Sequence, residues 1–377
     1  MHAESLVSRL PRWAVIRDAR RRQRRRWRRR AFVLALVAAV GAGLLAQRSP
    51  ARRQNPLASA SAQLNSVDVG GYVLGAQSSR AHIWVLTCVR LCGAGDTGLD
   101  SERLVELDAS SGAVIRRLAP LTNVSALTTA GRNVWVAHPL SGRVTRIDPA
   151  TGRATAQVNL RLPVQIAPGD RQFRPSALSA SGNSVWASTE RGWIARIDAV
   201  SGRVEWVVRT PSENNSTTTD RYGTWVAEDL DGVGLLAPHR TRLRVRAVMQ
   251  AGLPLEVSHV LSGAGVVWAI AVTNQWGTAT RTVILELNPR THRVVRRVQV
   301  PEAESTDAVV AVGALYLGDL VHGRIYRVTP SGPLQIFRTP RHLAWLATST
   351  PGALWAATSV SPGHGRGRLL RIGLPLG

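Results

Sequence analysis

From residue 64 onward, short apolar runs are cut at regular intervals by Gly, Asn, Asp and Pro, the pattern of β-strands joined by tight turns. The pattern also repeats. Residues 124–158, VSALTTAGRNVWVAHPLSGRVTRIDPATGRATAQV, and 175–208, PSALSASGNSVWASTERGWIARIDAVSGRVEWVV, each hold four such runs. They are labelled A (SAL), B (VWVA), C (RVTRID) and D (RATAQV). The aromatic residue of run B recurs as Trp84, Trp135, Trp186, Trp225, Trp268, Tyr316 and Trp355, at spacings of 51, 51, 39, 43, 48 and 39 residues. Seven units of four strands result.

Four strands in roughly 40–50 residues is the size of a β-propeller blade. A solenoid is the competing architecture, and the ends of the array separate the two. The last unit has A, B and C, with C over 368–372, and stops at Gly377 before any D run. Residues 64–69, LNSVDV, read as a D strand with no C before it. That strand is expected to complete the last blade and close a ring, which removes the sheet edges a solenoid must cap. The seven aromatics then pack between blades as core. The expected fold class is all-β: a seven-bladed β-propeller over 64–377, preceded by a single transmembrane helix.

The helix enters from the other end of the chain. Residues 20–30 read RRRQRRRWRRR, and 31–46 read AFVLALVAAVGAGLLA with no charge. Sixteen residues of helix span ~24 Å, and Trp27 with a snorkelling Arg30 makes up the rest of a ~30 Å core. The positive flank keeps 1–30 in the cytoplasm and sends the rest across. Leu44 at −3 from Ala46 fits a cleavage site poorly, so a retained anchor is expected. Residues 47–63 read as a flexible linker. Overall charge is +24, carried by 48 Arg and no Lys against 24 acids, with 15 of those Arg in residues 1–53. Beside an apolar segment, that block points to anionic lipid heads, and no nucleic-acid partner is expected. An apolar content of 44% excludes a disordered chain.

The repeats resemble the YVTN-type propeller family, whose units run close to V-Y-V-A-N…G-T-V-S-V-I-D-x-x-T-N. Here Val134-Trp-Val-Ala-His138…Gly142-Arg-Val-Thr-Arg-Ile-Asp148-Pro-Ala-Thr-Gly152 follows that run nearly position for position. Streptogramin B lyases carry similar units, which Trp186-Ala-Ser-Thr-Glu190…Ile194-Ala-Arg-Ile-Asp198 resembles. Asp198-Ala-Val-Ser-Gly202-Arg-Val-Glu-Trp206 is similar to a quinoprotein repeat, but this one unit alone ends in Trp, and quinone docking is not expected. The resemblance implies a fold and its turn chemistry, and does not specify a reaction.

Antiparallel strands sort the connections onto two rims: A–B and C–D turns on one, B–C and D–A loops on the other. The A–B turns (AGRN, ASGN, RYG, VGA, TPGA) and C–D turns such as DPATG and NPRTH are short. Long departures at 87–102, 161–174, 210–219, 271–281 and 358–367 all fall on the B–C/D–A rim, which marks a binding face. Nine residues before each aromatic stand Gly75, Ala126, Ala177, Ser216, His259, Asp307 and Leu346. His259 and Asp307, in consecutive blades, are a candidate base and its orienting acid. The plainer alternative, a solvated ion pair near the channel mouth, ranks above chemistry. Three residues after each aromatic come Thr87, His138, Thr189, Glu228, Ala271, Asp319 and Thr358. His138 is a further catalytic candidate, and Glu190, Glu228 and Asp319 are candidate ligands for a divalent metal, Mg²⁺ or Ca²⁺. Cys88 and Cys92 in the first long loop are expected to form a disulfide. No phosphate loop, G-x-S-x-G elbow or H-E-x-x-H is present.

The function these features predict is binding or sensing of a small-molecule or protein ligand by an extracytoplasmic propeller at the cell membrane. The alternative is a metal-dependent lyase using the same face. The expected organisation is a basic cytoplasmic tail (1–30), a transmembrane helix (31–46), a linker (47–63) and the propeller (64–377).

Overall fold

The computed structural model describes residues 65–79, 81–88, 102–161, 173–189, 191–210, 214–228, 232–236, 246–247, 255–273, 281–300, 305–319, 322–339, 343–348, 353–358 and 367–373. The chain divides into two units, Met1–Ala58 and Ser59–Gly377. No helix among the described residues is long and apolar enough to cross a membrane. The expected span at 31–46 lies outside the described residues.

The second unit is a seven-bladed propeller of seven four-stranded antiparallel sheets. Six blades take their strands in chain order. Blade 2, for example, runs Ala126–Ala130, Asn133–His138, Arg143–Ile147 and Ala154–Asn159 from channel to periphery. The seventh is composite: A (Leu343–Thr348), B (Ala353–Thr358) and C (Arg368–Gly373) come from the end of the array, and its outer strand is Asn65–Asp68. Asn65 pairs with Arg371 and Asp68 with Arg368, so the expected closure is present. Because a D strand runs away from the C–D turns, Asn65 lies on the A–B/C–D rim and Asp68 on the loop rim.

The recurring aromatic explains why seven sheets pack into one body. Each of the seven seams holds an apolar cluster containing the strand-B aromatic of the preceding blade. All seven rings are nearly or wholly buried. A buried ring removes about 150–250 Å² from water, on the order of 5 kcal/mol per seam as an upper bound. At the closing seam Trp355 also donates its indole N–H to the Ala109 carbonyl of blade 1, at 3.2 Å.

Arginines fasten the tight-turn rim. Arg116, held by Glu106 at 2.5 Å, donates to the Ala150 carbonyl in the C–D turn of blade 2. Arg146 donates to the Val200 carbonyl of blade 3 at 2.7 Å, with its guanidinium over Trp135. Arg296 reaches Thr329 and Gly332 of blade 6 in the same way. Four C–D turns are built by an Asx residue, among them the blade 2 and blade 3 turns that receive Arg116 and Arg146; the blade 6 turn that receives Arg296 has none. Asp108, Asp148, Asp198 and Asn288 each accept N–H groups from the two or three residues that follow. The Thr151 hydroxyl and then the Ala150 N–H hold the Asp148 carboxyl below the usual carboxylate range, and the Ser201 N–H and hydroxyl do the same for Asp198.

Two outcomes are expected. Deleting 65–68 removes a backbone ladder worth ~0.5–1.5 kcal/mol per bond and strips Val67 from the closing seam. It should lower the melting temperature by many degrees relative to deleting 47–60, and equal melting would show that the ring does not depend on this strand. Gly112 has φ +77°, and a Cβ there would sit 2.5 Å from the Trp355 ring, whereas Gly131 at φ +61° has open space. Gly131→Ala should cost about 1–2 kcal/mol. Gly112→Ala should cost ~1–3 kcal/mol more through overpacking, as read from denaturant midpoints.

Candidate functional site

The loop rim of blades 5 and 6 brings two of the sequence candidates together. In blades 1, 4, 5, 6 and 7 the A–B ladder slips by one residue just before the inner position, next to Gly75, Ser216, His259, Asp307 and Trp345. The seventh member of the inner ring is therefore Trp345. Leu346 is displaced by one because the blade 7 turn, between Thr348 and Ala353, is longer than the others.

His259 Nε2 lies 3.9 Å from Asp307 Oδ1, with the two side chains 26% and 15% exposed. The pair meets, but not as a solvated salt bridge. Burial pushes Asp307 up to about 7, against the backbone N–H bonds that lower it. Burial pushes His259 down to about 4. Near neutral pH the imidazole is therefore uncharged. Ser258 uses its hydroxyl proton on the Ile270 carbonyl, at 3.2 Å, so its oxygen accepts from His259 Nδ1–H at 3.1 Å. That assigns the Nδ1–H tautomer and turns the Nε2 lone pair toward the carboxyl.

Asp307 has architectural partners on both oxygens. Oδ1 accepts the Ala308 N–H and Oδ2 accepts the Leu346 N–H of blade 7, both at 2.8 Å. Ser216, at the same position in blade 4, accepts the Val260 N–H of blade 5 at 2.7 Å. Both residues satisfy the unpaired inner edge of the next blade.

The remaining candidates are spread around the rim. His138 ends strand B of blade 2 and donates Nδ1–H to the Thr122 carbonyl at 2.9 Å. Its pKa is lowered, first by burial and then by the Arg143 charge. Its Nε2 is buried with no hydrogen-bond partner among the described residues. Glu228 ends strand B of blade 4 and is buried. Asp319 ends strand B of blade 6 and is wholly buried, while Glu190 lies outside the described residues. Among the described residues no three His, Cys, Asp or Glu side chains gather closely enough to hold a metal ion. Cys88, buried at the end of strand B of blade 1, is disulfide-bonded, and Cys92 lies outside the described residues.

Sequence reasoning missed one constellation. Asp319 Oδ2 accepts from His322 Nδ1 at 3.0 Å and from the Tyr326 hydroxyl at 3.2 Å, and Oδ1 takes the His322 N–H. The signal was the i, i+3 spacing of Asp319 and His322 in a B–C turn.

The rim assignment needs two corrections. Strand A of blade 4 occupies Asn214–Asp220, so most of the supposed loop 210–219 is strand. The C–D connection of blade 4, from Leu236 to Arg246, is long and lies on the tight-turn rim. The long connections Cys88 to Glu102, Asn159 to Ala177, Thr273 to Arg281 and Thr358 to Arg368 remain on the loop rim.

Comparisons show the fold alone. No family model and no curated protein matches the chain. Among solved structures, a virginiamycin B lyase from Staphylococcus aureus is similar at TM-score 0.62 and 13% identity, covering 83% of this chain and 99% of that one. A chain of a mitotic checkpoint complex aligns at TM-score 0.62 and 14% identity, covering 87% and 99%. A streptogramin B lyase aligns at 0.59 and 14%, covering 82% and 98%.

The buried pair makes a prediction about acid. The folded pKa of Asp307 is raised, so the folded state holds a proton that the unfolded chain releases, and this group loses stability as pH rises from about 4 to 7. His259 has a lowered folded pKa, so it gains stability as pH rises from about 4 to 6.5. The two slopes oppose each other in the wild type. His259→Gln should therefore melt progressively lower as pH rises from 4 to 7. Asp307→Asn should melt progressively lower as pH falls from 6.5 to 4. Parallel pH profiles for both variants and the parent would refute the assignment.

Proposed function

We propose that this chain is a single-pass, membrane-anchored propeller of the YVTN-repeat kind, held outside the cytoplasm, that binds a small-molecule or protein ligand on its B–C/D–A loop face. The observation that carries binding over turnover is the double commitment of Asp307. A carboxylate bonded to two backbone N–H groups, one of them on the next blade, is tied to the wall of the ring. Its neighbour His259, with a pKa near 4, is a weak base at neutral pH. The Arg block at 20–30 and the uncharged 31–46 support the anchor and a cytoplasmic N-terminus. Asn65 joins the ring on the rim opposite the loop face.

A second reading keeps a specific observation in its favour. The buried Nε2 of His138 is an acceptor on the same rim, and two solved neighbours are lyases. A metal-assisted lyase would need further ligands from the loops around it.

The test compares the two rims on intact cells. Leu140, in the B–C loop of blade 2, and Val312, in the A–B turn of blade 6, are 52% and 43% exposed. Each is replaced by a photo-crosslinking residue in the full-length protein. Adducts from position 140 and none from 312 are the expected result, and equal yields would refute a loop-face ligand. External protease should leave a small membrane-bound stub. A rise of several degrees in melting temperature with Mg²⁺ or Ca²⁺ would move the conclusion to the lyase.

A further inference from the structure

Four arginines lie at strand ends on the loop rim of blades 2 and 3. Arg143 opens strand C of blade 2, Arg161 follows its strand D, Arg174 precedes strand A of blade 3, and Arg209 ends its strand D. Arg161, Arg174 and Arg209 are exposed and Arg143 is half-buried. None is in an ion pair with a described carboxylate. Arg143 rests on neutral partners, the Ser141 hydroxyl and the Gln157 amide oxygen, both at 3.1 Å. Arg209 lies over the Trp193 ring at 5.7 Å. This differs from the seams, where Arg116, Arg196 and Arg296 are each matched to a glutamate.

The charge is greater on this rim. On the tight-turn rim of the same two blades, Arg132, Arg153 and Arg203 stand with Asp148 and Asp198. Across the whole loop rim of these blades (138–143, 157–177, 188–193 and 207–213) the sequence holds six arginines against Asp170, Glu190 and Glu213. A guanidinium matches a carboxylate as a two-pronged donor, and exposed, unmatched guanidinia attract acidic groups within about 8–10 Å at ordinary salt. Four cations on three connections suit a ligand with several charges along its length better than one small anion. Among the described residues of these connections Phe173 is wholly buried and Trp193 has one face against Arg209, which leaves little for stacking a nucleobase.

We propose that this arc binds an acidic polypeptide segment in extended form. The inference rests on the loop-face reading and names the class of ligand that the face takes. Complementary charge of this kind sets association rate and partner choice more than raw affinity, and it weakens with salt.

The probe is a short poly-glutamate peptide carrying a photoreactive group, added to the full-length protein, with adduct positions read by peptide mass spectrometry. Mapping by position separates this arc from the arginine tail. Adducts are expected within 138–177 and 188–213. In the variant R143E/R161E/R174E/R209E their yield should fall about tenfold, while R132E/R153E/R203E stays within about twofold of wild type. Raising salt from 50 to 200 mM should reduce them severalfold. Adducts confined to residues 1–53, an equal loss in both variants, or stronger labelling by a single-stranded oligonucleotide would each overturn the proposal. If the peptide fails but position 140 still crosslinks in cells, the loop face stands and only the acidic ligand is wrong. If both fail, the face itself is wrong.

Discussion

Closure by Asn65–Asp68 is the pairing on which the rest of the ring depends. Seven sheets stacked side to side bury their faces, but an open array would leave the first and last blades joined by side chains alone. Pairing Asn65 with Arg371 and Asp68 with Arg368 ties residues about three hundred positions apart into one sheet. Only then does the seventh seam exist, with Trp355 buried against Val67, Val85 and Leu107 and bonded to Ala109. A contact of such long range is costly to form and holds only because it is cooperative with six local seams. The other six blades are local hairpins in sequence and need no such help.

A closed ring creates a second constraint at its centre. Every inner strand turns one unpaired edge toward the channel, and buried backbone groups without partners are expensive. Side chains of the neighbouring blade supply the partners. The Thr129 hydroxyl donates to the Ser78 carbonyl and that of Ser181 to the Thr219 carbonyl. Thr218 accepts the Ser262 N–H, Ser216 that of Val260, and Asp307 that of Leu346. Inner-strand polar residues thus have structural work before any ligand arrives. Asp307 has that structural work whatever passes between it and the His259 that the sequence places beside it.

Most of the fold was legible because its signals are periodic. One aromatic per blade and an Asx residue in the C–D turn repeat often enough to count, and the orphan strand before the first blade was visible by subtraction. The site was less legible because its geometry depends on single-residue slips. A bulge beside His259 or Asp307 leaves no mark in the apolar pattern, and one longer turn in blade 7 moved Leu346 out of a ring that Trp345 occupies. Strand Asn214–Asp220 read as a loop because its residues, NNSTTTD, are polar. Their hydroxyls are what blades 3 and 5 bond to, so the missing hydrophobic pattern is itself a consequence of the inner-edge constraint. Asp319 carries a signal in the blade-to-blade spacing, but its partner His322 does not, because their pairing lies within one B–C connection.

Blade 4 differs from its neighbours in its C–D sequence. Its strand C is Gly232-Val-Gly-Leu-Leu236, followed in the sequence by Ala-Pro and no Asx residue. Its described strand D is Arg246–Ala247. The arginines of blades 2 and 3 also differ. Arg146 of blade 2 extends to the turn carbonyls of the blade after it, Ala199 and Val200. Arg196 stands at the equivalent position opposite Trp186. It bonds instead to Ser184 and Glu205 of its own blade, at 2.9 Å each. Among the described residues, the seam it borders is built on Trp186, Ile194, Val226 and Leu236. Arg146 thus docks on turn carbonyls of the next blade, whereas Arg196 is held within its own.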